Sequence, residues 1–172
     1  MTADAPLVIR PALRADVPVL LELIRGLAEY ERLTHLVAVE APLLERELFA
    51  PNANAEAVLG FAGGEPVGFA VYFHNFSTFL GRRGLYLEDL FVQPADRRRG
   101  YGRALLLHVA RIAHARGCGR FEWMALDWNA PAIAFYQALG ATVLPDWRIV
   151  RVVGRPLATL AAVPAASPDA VP

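Results

Sequence analysis

The stretch "ADRRRGYGRALLLHVA" sets the consecutive arginines Arg97, Arg98 and Arg99 before Gly100 and Gly102, and an apolar helix pattern follows at once. A helix start leaves backbone N–H groups unpaired and carries positive dipole charge, so it attracts phosphate. Glycine lets a ligand approach the backbone and admits positive φ. Arginine adds charge and bidentate donors. These residue types in this order suit an anion; the competing reading is a solvated basic turn that happens to precede a helix. A second group able to do chemistry is the acidic pair Glu88–Asp89, which interrupts the apolar run "GLYLEDLFVQP". Neighbours on a strand face opposite ways, so only one of them fully faces a given cleft unless a bulge re-aims the other. Charges inside such a strand are costly when buried unpaired, and a structural ion pair is the competing reading.

Spacing excludes several anion-binding motifs. A Rossmann fingerprint wants its first glycine directly after a strand and a third glycine three positions beyond the second. Here Gln93 to Arg99 intervene, and Leu105 stands in the third position. A Walker loop fails as well, because "GGEPVGF" has Phe69 where lysine is required. No second basic stripe or aromatic platform accompanies the arginines, so nucleic acid is not expected. His35, His74, His108 and His114 lack metal-ligand spacing, and no metal is expected. The single cysteine, Cys118 in "RGCGRF", excludes an internal disulfide framework and reads as a small buried residue entering a strand.

The elements that must hold these residues follow from periodicity. "PLVIRPA" is a short strand. Asp16 fits an N-cap for a helix to about Glu31, with Val19, Leu20, Leu23, Ile24 and Leu27 on one face. "VEAPLLERELF" is a second helix with Pro42 in its first turn. "AEAVLGFAGGEPVGFAVYFHNF" reads as two strands around Gly63-Gly64-Glu65, and "GLYLEDLFVQP" as a third long strand. A helix runs from about Gly100 to Arg116, and "CGRFEWMALDW" is another strand. Asn129 caps a helix over "APAIAFYQALG" that Gly140 ends, and "ATVL" and "WRIVRVVG" read as closing strands. The order βααβββαβαββ implies an α/β (α+β) domain with a mixed sheet, too rich in hairpins to be doubly wound.

The chain has 172 residues, enough for one domain with a proper core, expected over 1–160, with an alanine- and proline-rich tail over 161–172. Basic and acidic residues balance at 17 each, so any basic site is local and bulk attraction to nucleic acid or membrane is not implied. No apolar run reaches the roughly 20 residues that span a bilayer. The opening "MTADAPLVIRPA" starts acidic and has no leader-like apolar stretch, so a cytoplasmic protein is expected.

Arg97, Gly100 and Gly102, as R-x-x-G-x-G after a strand and short loop, resemble the diphosphate loop of the GNAT superfamily of N-acetyltransferases. The segments "IRPA", "LAEYER", "GFAVYFHNFSTFLGRRGLYLEDLFVQP", "RRRGYGRALL", "GCGRFEWMALDWNAPAIAFYQALGA" and "WRIVRV" fall in the order seen in diamine (spermidine/spermine) acetyltransferases and their bacterial and thialysine-acetylating relatives. The resemblance implies a mixed, mostly antiparallel central sheet flanked by helices and splayed between the fourth and fifth strands, where the pantetheine arm of acetyl-CoA inserts. It implies coenzyme contacts from Leu90, Phe91 and Val92, from Arg97, Arg98, Arg99, Gly100, Tyr101, Gly102 and Arg103, and from Asn129. It also implies Tyr136 as the acid for the departing thiolate, Glu88 as a catalytic carboxylate, and Tyr30, Glu31, Glu88, Asp89 and Asp146 around the acceptor. Relatives commonly have glycine where this chain has Arg98. Read without the family, Asn129 is a helix cap and Tyr136 a core aromatic.

That resemblance implies direct transfer of an acetyl group from acetyl-CoA to a primary amine of a small cationic acceptor, a diamine, a polyamine or a lysine-like amino acid. An alkyl ammonium with a pKa near ~10.4 must lose a proton on or before attack, and nearby carboxylates can bind the cation and accept that proton. An amino acid acceptor also needs a basic partner for its carboxylate, for which Arg82 and Arg83 are candidates. The rival readings are acetylation of a protein lysine or N-terminus and a non-catalytic acyl-CoA sensor. A homodimer with "WRIVRVV" near its interface is implied as well.

Overall fold

The computed structural model describes residues 6–164. Their contacts separate into two units, divided between Met124 and Ala125. In the first unit β1 (Leu7–Pro11), β2 (Glu56–Ala62), β3 (Glu65–Ser77), β4 (Arg82–Val92) and β5 (Phe121–Trp123) form one sheet in sequence order. Every pair is antiparallel except β4–β5, which is parallel. The mixed, mostly antiparallel α/β architecture read from the sequence is the one observed. Gly63 and Gly64, at φ 61° and 88°, make the two-residue turn that sets the β2–β3 register.

Helix α1 (Val17–Glu31) buries Val17, Leu20, Leu21 and Leu23, and α2 (Ala41–Phe49) adds Leu44 and Leu48. These close on Ala57, Leu59, Phe69 and Phe91 of the sheet. Leu20, Leu59 and Phe69 expose no surface, and each such side chain contributes about 1.5–3 kcal/mol. Strand alternation turns Val58 and Gly60 to the opposite face, which α3 (Tyr101–Ala115) covers with Leu105, Leu106, Val109 and Ala113. Leu105 lies over the cross-strand pair Gly60–Gly68, where a β-carbon would stand 3.6 and 3.2 Å from it.

Asp16 does not cap α1 through its side chain. Its backbone is already helical, at φ −86° and ψ −2°, whereas a capping residue is extended. The carboxylate instead accepts the Leu13 amide at 2.7 Å and the Arg10 guanidinium at 2.6 and 2.9 Å, tying β1 to the start of α1.

The parallel β4–β5 pairing matches only Leu85–Leu87 with Phe121–Trp123. β5 is thus far shorter than the run "CGRFEWMALDW" suggests, and β4 continues from Glu88 to Val92 paired to β3 alone. Past Leu87, no strand among the described residues pairs with β4 on that side.

In the second unit Asn129 caps α4 (Ala130–Ala138), its side chain accepting the Ala132 amide at 3.4 Å, and Gly140 at φ 92° follows the helix end. The closing strands expected at "ATVL" and "WRIVRVVG" are absent among the described residues, and a helix, α5 (Arg155–Ala161), follows instead. Strand propensity is realised only through pairing, and residues 141–153 join no sheet. Of the tail expected over 161–172, Ala161 belongs to α5, and residues 165–172 lie outside the described residues. Among the described residues no helix is long and apolar enough to cross a membrane.

Candidate active site

A β-bulge decides the chemistry of β4. Tyr72 pairs with Leu87 and Val71 with Asp89, so Glu88 is an extra residue on β4. An extra residue reverses which backbone groups face which neighbour. Before the bulge the Leu85 amide points to β5, bonding the Arg120 carbonyl at 3.0 Å. Beyond it the Gln93 amide points back to β3, bonding the Val67 carbonyl at 2.9 Å. Antiparallel alternation then turns the amides of Leu90 and Val92 away from β3, to the edge that β5 has left.

The same bulge collects acidic groups. Glu88 is exposed and Asp89 half-buried. Gly26 brings the end of α1 close to β4, since a β-carbon there would stand 3.2 Å from the Phe91 ring. Glu31, the last residue of α1, is near enough to repel a charge on Asp89. Burial first, then the charges of Glu88 and Glu31, push the Asp89 carboxyl up to about 7. Burial also raises the Glu31 carboxyl. Three carboxylates expected around an acceptor are therefore neighbours, and among the described residues none of them forms the structural ion pair that is the competing reading for Glu88–Asp89.

The arginine-glycine segment follows β4 after a 3-10 turn, Pro94–Asp96. Arg98 is left-handed at φ 65° and Gly100 at φ 81°. The loop thus keeps at Arg98 the backbone shape a glycine would adopt freely, at a strain of roughly 1–2 kcal/mol. The first α3 bond runs from the Ala104 amide to the Gly100 carbonyl at 3.0 Å, which leaves the amides of Tyr101, Gly102 and Arg103 without partners inside the helix. No side chain caps this end. Arg98, Arg99, Gly100 and Arg103 are exposed, and Arg99 lies 3.5 Å from Asp96. Gly102 has room beside it, since its hypothetical β-carbon would meet only Val92 Cγ2 at 3.7 Å. These features fit a phosphate-bearing group: free amides, a strong local positive charge, and backbone that a ligand can reach.

Arg97 is placed differently from its neighbours. Its Nε donates to the Val92 carbonyl at 3.1 Å, and its guanidinium carbon stands 4.1 Å from the centre of the Tyr30 ring. The resemblance implies different ligands for these two residues, and nothing in their spacing signals the contact. Arg82 and Arg83 begin β4; at a strand rise of about 3.4 Å per residue Arg83 is about 20 Å from Asp89, beyond the span of a lysine-like acceptor whose amine meets that carboxyl. Cys118 is half-buried rather than buried, with its sulfur 3.9 Å from His74 Nδ1.

In the second unit, Tyr136 is half-buried on α4 with its ring 5.3 Å from that of Phe135. Asn129 performs the capping role described above. Asp146 is exposed.

A sheet opened along one strand, with carboxylates at the opening and an anion-ready helix start at its end, has the build of an acyltransferase domain. The chain belongs to the acetyltransferase (GNAT) family, whose model matches residues 21–141. It is 35% identical over 168 residues to thialysine N-epsilon-acetyltransferase of Sus scrofa, covering 91% of this chain and 98% of that protein. It is 39% identical over 121 residues to L-ornithine N5-acetyltransferase of Arabidopsis thaliana, where it spans 70% of its own length and half, 50%, of the plant protein. Among solved structures, an integron cassette protein from the mobile metagenome of V. cholerae superimposes with a TM-score of 0.76 at 26% identity, over 91% of this chain and 98% of that one.

Proposed function

We propose that this enzyme transfers the acetyl group of acetyl-CoA directly to a primary amine of a small cationic acceptor, a lysine-like amino acid or a polyamine. The observation that carries this reading is the edge of β4 past Glu88, where the unpaired amides of Leu90 and Val92 adjoin the Glu31–Glu88–Asp89 cluster. The names of the relatives support a small amine: thialysine in one, ornithine in another.

Acetyl-CoA supplies an activated thioester. The amides of Tyr101, Gly102 and Arg103, with Arg98 and Arg99, are proposed to hold its diphosphate, while the backbone of Phe91 and Val92 contacts the rest of the coenzyme; the family resemblance adds Asn129 as a coenzyme contact. The Leu90 amide donates to the thioester carbonyl oxygen, where negative charge develops as the amine attacks. Glu31, Glu88 and Asp89, with the Tyr30 ring, bind the acceptor cation. The resemblance implies Glu88 as the catalytic carboxylate; we assign the proton acceptor to Asp89, because a carboxyl pushed up to about 7 is matched to taking a proton at neutral pH. The approaching ammonium draws Asp89 to its ionised form, which then accepts the proton. The family resemblance, rather than any placement against β4, assigns Tyr136 as the acid that returns a proton to the departing sulfur. Cys118 carries no acyl group in this scheme.

The test is release of free coenzyme A thiol with thialysine, ornithine, putrescine, spermidine and a histone-like peptide as acceptors. Turnover with one or more of the small amines and none with the peptide is expected. Turnover with the peptide alone would make this a protein acetyltransferase, and acetyl-CoA binding without turnover would make it a sensor.

A further inference from the structure

Arg97 belongs to the coenzyme loop by its backbone and to the acceptor side by its side chain. The backbone is extended at φ −67° and ψ 163° and leads into the left-handed Arg98. The guanidinium turns the other way, crosses the end of β4 to bond the Val92 carbonyl, and stacks over Tyr30 in the last turn of α1. The Phe91 ring lies 5.7 Å from the same guanidinium carbon. A residue serving only as a phosphate ligand would extend its charge toward the amides at the start of α3. Arg97 instead presents a planar cation to an aromatic face, the arrangement in which its position and that of the ring fix each other.

We propose that Arg97 is a positioning residue that couples the coenzyme loop to the acceptor side of the cleft through its stack on Tyr30, so that acetyl-CoA and the amine strengthen each other's binding. The proposal rests on the function proposed above. Anchoring the loop amides on a diphosphate orders Arg97, Arg97 orders the Tyr30 ring, and Tyr30 adjoins Glu31 in the acceptor cluster. Ordering achieved by the first ligand is then not repeated by the second, which gives positive cooperativity without a large movement. Linkage makes the effect reciprocal: whatever factor acetyl-CoA adds to amine affinity, the amine adds to acetyl-CoA affinity.

Reciprocity supplies the test. Calorimetric titration of acetyl-CoA, with no amine present, is compared for wild type, Tyr30→Ala and Tyr30→Phe. Losing the stacked ring is expected to weaken acetyl-CoA binding about three-fold, the size of a half-exposed cation–ring contact, while Tyr30→Phe, which keeps the ring face, restores wild-type affinity. In the reverse direction Arg97→Gln should raise the KM for the amine about three-fold, measured at saturating acetyl-CoA so that weaker coenzyme binding is not what is read. This second variant also carries the test should Tyr30→Ala fail to fold. Unchanged acetyl-CoA affinity in Tyr30→Ala, or equal losses in Tyr30→Ala and Tyr30→Phe, would overturn the stacking mechanism and leave the proposed function standing; so would an unchanged amine KM in Arg97→Gln. Wild-type protein giving no heat with acetyl-CoA would remove both.

Discussion

Replacing Asp89 by asparagine keeps the side chain's shape and removes its charge. The wild-type carboxyl moves from 3.8 to about 7 on folding, with burial as the leading cause and the charges of Glu88 and Glu31 behind it. An acid whose folded-state value is raised favours the folded state while protonated. Its contribution is fully present below about pH 4 and is lost as the pH rises through about 7, because the unfolded chain has then released a proton that the folded chain keeps or gives up at a cost. The shift is about three units, 7 minus 3.8, and at ~1.4 kcal/mol per unit the ceiling is about 4 kcal/mol. Water reaching a half-buried carboxyl raises the local dielectric and lowers this to about 2 kcal/mol. Asp89→Asn should therefore gain stability relative to wild type as the pH is raised from about 4 to about 8, by about 2 kcal/mol in all, and the difference should then level off. Urea unfolding at a series of pH values reads this directly. The same variant should lose at least about 100-fold in kcat/KM, together with the rise of wild-type activity through neutral pH, if Asp89 is the proton acceptor. A stability difference that stays flat with pH would show that Asp89 is ionised throughout, and the reasoning from burial and charge crowding would fail.

Other expectations concern the loop, the proposed acid and the assembly. Gly100→Ala places a β-carbon at φ 81° with nothing within 4 Å; its cost is conformational, about 1–2 kcal/mol, and a thermal scan should show a fall of a few degrees together with weaker acetyl-CoA binding. Arg98→Gly relieves the strain at φ 65°, but glycine's extra freedom in the unfolded chain offsets about 0.5–1 kcal/mol of that; stability should change little while acetyl-CoA affinity falls and depends less on salt. Tyr136→Phe should lower kcat at least about tenfold and leave acetyl-CoA affinity nearly unchanged, and unaltered turnover would return Tyr136 to a packing role. Trp147, Ile149, Val150 and Val153 are exposed at 64% or more, and light scattering should report a homodimer; a monomer mass would remove that proposal.

The parts legible in the sequence are those that short-range chemistry decides. Two glycines between apolar runs signal a two-residue hairpin turn, and Gly63-Gly64 makes it. The arginine-glycine segment is readable because its need for positive φ is local, and even its departure at Arg98 shows as backbone in the conformation glycine prefers. The Glu88–Asp89 pair announced either a bulge or a conflict, and the β3 register resolves it as a bulge. What stayed hidden depends on distant partners. Arg97 and Tyr30 lie far apart in sequence and meet because α1 packs close to the end of β4, with Gly26 against Phe91. Asp16 has an N-cap's composition, yet Arg10 and the Leu13 amide take its carboxylate. "WRIVRVVG" has a strand's composition, yet composition cannot supply the neighbouring strand that pairing demands.

The central claim is that acetyl-CoA lies along the opened edge of β4 with its diphosphate at the start of α3. Following backbone amide resonances of the isotope-labelled chain during titration with acetyl-CoA tests it most directly. Saturable shifts at Leu90 and Val92, together with Tyr101, Gly102 and Arg103, are the predicted result. Binding that leaves those amides unmoved and shifts others would contradict it.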